Sequence, residues 1–208
     1  MEASDERPAD VSFGRIVSFT DGVFAIAITL LVLNFEVPEL ARGTEAELER
    51  FLTQLGGDFA AYFLTFAVVG RMWIVHHRLF SMLKSFDGRL MTLNLAYLAM
   101  IVLIPFPAQL LGDYGDQTLS PVLYATVLAV ASVLNWLMAR HAIRARLLRP
   151  DDEAQAEPWG SFEALVIPGV FVASIPVAFL SPYAAEAMWT LFVLARAGAW
   201  VRSGRAAG

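Results

Sequence analysis

The chain has 208 residues, 57% hydrophobic and 17% charged, with a net charge of −5, no cysteine and a mean hydropathy of +0.57. A soluble domain is typically about 45–50% apolar and about 25% charged, so a membrane protein is the first expectation. The acidic balance argues against a nucleic-acid partner, which would meet a basic patch, and the missing cysteines exclude disulfides, thiolate nucleophiles and cysteine-ligated metals.

Residues 1–12 form an acidic N-terminal tail. Its opening, MEASDERPAD, lacks the basic start and apolar core of a signal peptide, so the first apolar run is expected to stay in the mature protein. Crossing a hydrocarbon core takes about 20 apolar residues, and six segments approach that length within residues 13–200. The first covers 13–35. After it comes an acidic loop with Glu36, Glu39, Glu45, Glu47 and Glu49, long enough for a short amphipathic helix. The second, 59–80, carries Arg71, His76, His77 and Arg78 in or near its end. The third, 90–111, closes with IPFP, where Pro105 and Pro107 should kink or end it. The fourth, 121–138, precedes the basic run RHAIRARLLR and then DDEAQAEP, read as a flexible linker. The fifth, 162–180, and the sixth, 183–200, are close enough for a tight helical hairpin, and residues 201–208 form a C-terminal tail.

Basic residues mark cytoplasmic flanks. Arg78, Lys84 and Arg89 follow the second segment, Arg140, Arg144, Arg146 and Arg149 the fourth, and Arg196, Arg202 and Arg205 the sixth. The connections GDYGDQ and SPYAAE carry none. Six spans with both termini cytoplasmic satisfy this pattern.

The richest stretch is residues 15–33, RIVSFTDGVFAIAITLLVL. Arg15 and Asp21 are costly at membrane depth, which makes each either a functional group or a snorkelling or structural one. Ile26, Leu30 and Leu33 share one narrow helical stripe with Thr29 at its edge. On pattern alone, three aliphatics at that spacing fit a lipid-facing or core row better than a gate. His76 and His77 point about 100° apart on a helix and do not readily share a metal ion. Trp73 and His77, four residues apart, lie on one face, placed to meet the polar groups of the first segment. A serine elbow, phosphate-cradling glycine loops and the TVGYG potassium filter are all absent from the sequence, so no enzyme chemistry and no cofactor are indicated. A proton-coupled secondary transporter using Asp21 with His76 or His77 as a relay stays open as the alternative.

The first segment resembles the R-x-x-x-F-S-D signature of the transmembrane protein 175 family, with Thr20 standing where serine is usual. WIVHHRLF, LNLAYL and IPFP, in that order, resemble its further landmarks. The resemblance implies a potassium-permeable channel of the single-repeat prokaryotic form, in the cell membrane. It would be a homotetramer of all-α subunits, six transmembrane helices each, with the first helix lining a central pore. It assigns Ile26, Leu30 and Leu33 to the hydrophobic constriction and Thr29 to a polar layer favouring potassium. Arg15, Phe19, Thr20, Asp21, Trp73 and His77 would form a structural network holding the pore helix.

Overall fold

A computed structural model describes residues 8–35 and 44–191. The expectations for residues 1–7, Glu36, Glu39, the end of the sixth segment from 192 and the tail with Arg202 and Arg205 lie outside the described residues. α1 (Pro8–Leu30) begins inside the expected tail, because proline's ring-fixed φ suits a first helical position. It tightens into a 3-10 turn, Leu31–Asn34. The acidic loop does carry a helix, α2 (Glu45–Gln54), opened by a capping box in which Thr44 accepts the Glu47 N–H and Glu47 reaches back to the Thr44 N–H.

α3 (Gly56–Ser81) is followed by α4 (Gly88–Leu103) and α5 (Pro105–Tyr114). The last two make one span bent at IPFP. Pro105 has no N–H for the Ile101 carbonyl four residues back, and that carbonyl takes the Ile104 N–H at 3.2 Å instead. α6 (Leu119–Arg144) runs six residues past the expected end, since arginine and histidine at a helix C-terminus offset the partial negative charge of its free carbonyls. A Schellman motif stops it: Leu147 N–H reaches Ala142 O at 2.9 Å and Arg146 N–H reaches Ile143 O at 3.2 Å, with Arg146 at φ 55°.

The expected flexible linker is instead a series of short helical turns, among them α7 (Glu153–Ala156), folded back on α6 with Ala156 fully buried. α8 (Val166–Leu180) has 15 residues, about 22 Å of helix against a core of about 30 Å. Residues 182–191 are helical and return against it: the Trp189 indole donates to Ser174 at 2.8 Å and its ring lies tilted 6.4 Å from that of Phe171.

Among the described residues, four helical stretches are long and apolar enough to cross a membrane: Phe13–Asn34, Gly56–Ser81, Gly88–Tyr114 and Leu119–Arg144. α6 is the centre, packed on α4, α5 and α8 through buried Tyr124, Ala125, Leu128, Ala131 and Met138. α1 lies to one side against α3 and α4.

Candidate functional site

α1 has two faces of opposite chemistry. Thr20, Phe24, Ala27 and Leu31 recur at helical spacing and are each 2% exposed or less. On the far side lie Arg15, Phe19, Gly22, Ile26, Thr29 and Leu33, all exposed, Ile26 by 58% and Leu33 by 68%. Leu30 sits at the edge, half-buried. Of the stripe found by spacing, Ile26 and Leu33 are therefore bare and Leu30 is partly covered by its own chain.

Three polar ties fix the covered side. Asn94 donates to the Thr20 hydroxyl at 3.0 Å, and its side-chain oxygen pairs with His76 Nε2 at 2.9 Å. That oxygen can only accept, so Nε2 carries the proton. All three residues are buried, so each hydrogen bond replaces one that neither lipid nor water could supply. The His76 ring lies 3.9 Å from that of Phe80 and 5.3 Å from that of Tyr97, centroid to centroid. The second tie is nearer the surface, where the Trp73 indole N–H donates to the Asp21 carboxylate at 2.9 Å. The third is at the far end, where the Asn34 amide donates to the Pro105 carbonyl at 3.2 Å.

Trp73 thus meets the first helix directly. His77 does not: it is exposed and its ring lies tilted 5.3 Å from that of Trp73, while its neighbour His76 reaches Thr20 through Asn94. Sequence reasoning passed over His76, Asn94 and Asn34 in these roles. The available signal for Asn94 was a lone amide inside the apolar run LNLAYLAMIVL. Arg15 and Phe19 stay on the bare face. The Thr29 hydroxyl donates back to the Ile26 carbonyl at 2.9 Å, which turns its lone pairs outward.

The two ends of the bundle differ in charge. Around the start of α1, the α3–α4 connector and the end of α6 stand Arg15, Arg78, Lys84, Arg89, Arg140, Arg144, Arg146 and Arg149; Phe13 meets Phe86 there at 6.0 Å. Asp87, at the same end, caps α4 through the Leu90 N–H at 2.7 Å and pairs with His141 at 2.8 Å. Those contacts hold its carboxyl below the usual carboxylate range. The opposite end carries Glu45, Glu47, Glu49, Asp58, Asp113, Asp116 and Glu186, with Arg50.

Long apolar helices, a first helix pinned on one face and bare on the other, and charge sorted to the two ends define a helical protein embedded in a membrane. A model of the family described as "Endosomal/lysosomal potassium channel TMEM175" matches residues 15–105. A protein of Chamaesiphon minutus named as a potassium channel is 33% identical over 180 residues, 85% of this chain and 89% of its own. One of Streptomyces collinus, named likewise, is 39% identical over 120 residues, 58% and 57% of the two chains. The crystal structure of a lysosomal potassium-selective channel TMEM175 homolog from Chamaesiphon minutus superposes with a TM-score of 0.79 at 27% identity, covering 90% of this chain and 97% of that one. The human relative, named as an endosomal/lysosomal proton channel, is matched over only 36% of its length. The chain belongs to the TMEM175 family, in its prokaryotic form.

Proposed function

We propose that the protein is a potassium-permeable channel of the cell membrane, a homotetramer of six-helix subunits whose four first helices surround the pore, with both termini cytoplasmic. The observation that carries this reading is the bare stripe on α1, set opposite a face held by buried hydrogen bonds. A surface row that is held rigid yet left uncovered by its own chain suits a lining shared between copies. The potassium-channel names of the bacterial relatives support it.

In this arrangement Ile26, Leu30 and Leu33 form a dry constriction that excludes a hydrated cation until the helices move apart. Thr29 supplies a ring of outward lone pairs, since its proton is already committed to Ile26. Such oxygens replace part of the hydration shell of potassium, which is lost at lower cost than that of sodium. Thr20, Asp21 and Trp73 position the helix, with His76 and Asn94 added to that set; His77 acts through Trp73, and Arg15 and Phe19, on the bare face, would act against a neighbouring copy. The carrier alternative needs a relay between Asp21 and a histidine. Asp21 takes its hydrogen bond from Trp73, and His76 gives its own to Asn94.

Bilayer recordings of purified protein under potassium and sodium gradients test the reading. Ile26→Asn should raise conductance and Thr29→Ala should weaken the preference for potassium. Unchanged currents in both would remove α1 from the conduction path.

A further inference from the structure

The α3–α4 connector and the segment after α6 are joined by one antiparallel bridge, Leu83 to Leu148. Lys84 N–H reaches Leu147 O and Arg149 N–H reaches Met82 O, both at 2.9 Å. Side chains alternate across such a pairing. Leu83 and Leu148, each 1% exposed, point inward, and Lys84 and Arg149 point out. The Schellman turn adds two more cations beside them, exposed Arg144 and, at the left-handed position, exposed Arg146.

Two segments about sixty residues apart in the chain thus gather four basic side chains on one surface at a membrane-flanking end. Among the described residues, none of the four forms an ion pair: Asp87 is engaged by His141 and Leu90, and Asp151, Asp152 and Glu153 beyond Pro150 bridge to none of them. Four exposed cations held on neighbouring backbone positions raise the local positive potential, which favours an anion over them. Trp136 lies beneath this end with the Arg140 guanidinium 5.0 Å over its ring, the aromatic and cationic pairing that suits headgroup depth.

We propose that Lys84, Arg144, Arg146 and Arg149 form a docking surface for the anionic phospholipid headgroups of the adjoining leaflet. The arginines bind phosphodiester oxygens in forked pairs, and the lysine acts as a point charge. The surface depends on membrane embedding and not on conduction. Its alternative occupant is the chain's own acidic start, Glu2, Asp5 and Glu6, since α1 begins at this end.

The test is thermal unfolding of the protein in phosphatidylcholine nanodiscs containing increasing phosphatidylglycerol. The unfolding midpoint should rise with phosphatidylglycerol and not with added inorganic phosphate. Replacing all four residues by glutamine should weaken the apparent affinity for phosphatidylglycerol at least about tenfold, so that the midpoint no longer saturates over the wild-type range of lipid fraction, given about fivefold per basic side chain at an anionic surface, reduced by screening. An Arg→Lys version of the three arginines should keep more of the response than the glutamine version, since charge is retained, but less than wild type, since the forked pairs are lost. Should the fourfold variant not fold, the Arg144→Gln/Arg149→Gln pair carries the same comparison. Equal responses in wild type and variant would overturn the proposal, as would no response in wild type or an equal response to phosphate. A response that emerges only after residues 1–7 are removed would assign the surface to the acidic start instead.

Discussion

α1 and α6 are both apolar and of spanning length, yet the chain itself buries 22% of the residues in the most apolar stretch at α1 and 50% at α6. The residues that differ are telling. α6 buries small side chains, Ala125, Ala129, Ala131, Ala139 and Ala142, which let neighbouring helices approach closely. α1 and its closing 3-10 turn leave large ones, Phe19, Ile26 and Leu33, uncovered. In a bilayer, lipid tails satisfy an apolar side chain as well as protein does, so exposure alone carries little meaning. Both helices are tied by hydrogen bonds, α6 through Tyr124 to Thr65 and His141 to Asp87, but on α1 the ties lie opposite a row of large bare side chains, and that fixes the direction of the bare stripe.

The sharpest way to break this contrast is at the ties. Asn94→Leu leaves both the Thr20 hydroxyl and the His76 ring unpaired in a buried place. We expect a loss of about 3 kcal/mol, at about 1–3 kcal/mol per orphaned group, measured by reversible unfolding in detergent. A loss under half of that would mean the network does not hold α1.

Next comes a paired truncation. Leu128→Ala on α6, fully buried, should cost about 2 kcal/mol, the low end of the soluble-core range, because the loss is of packing and not of transfer from water. Ile26→Ala on α1 should change monomer unfolding by less than about 0.5 kcal/mol, as an exposed substitution does, while altering flux. Equal destabilisation at the two sites would erase the distinction between the helices.

The smallest effect has the opposite sign. A Cβ added at Gly22, on the bare face, meets nothing within its own subunit. Gly22→Ala should therefore stabilise the isolated subunit by about 0.5–1 kcal/mol through helix propensity. Impaired assembly in cross-linking, with that gain retained, would locate a neighbouring copy against position 22.

Much of this was legible in the sequence because helical period and membrane length are strong signals. The α1 stripe, the bend at IPFP and the basic flanks can all be read from spacing and composition. The end of α6 was not, since RHAIR breaks an apolar pattern without breaking a helix. The linker was misread for a related reason: DDEAQAEP is polar, but Ala156 within it finds a buried site on α6. The choice between His76 and His77 turned on phase. His77 pairs with Trp73 at a spacing of four, whereas His76 continues the buried row of Thr65, Val69, Leu79 and Phe80. That row is visible only when the whole helix is phased at once. Asn94 lies on another helix, and no local period links it to Thr20.

The proline bend between α4 and α5 has a mechanical meaning. Asn94 grips α1 from one side of that elbow and Pro105 grips Asn34 from the other. The first helix is thus splinted across a joint, so the angle of the joint dictates how far the splinted rod leans. A stiffer or straighter elbow would show itself as a changed inclination in a helix whose own sequence had not been touched.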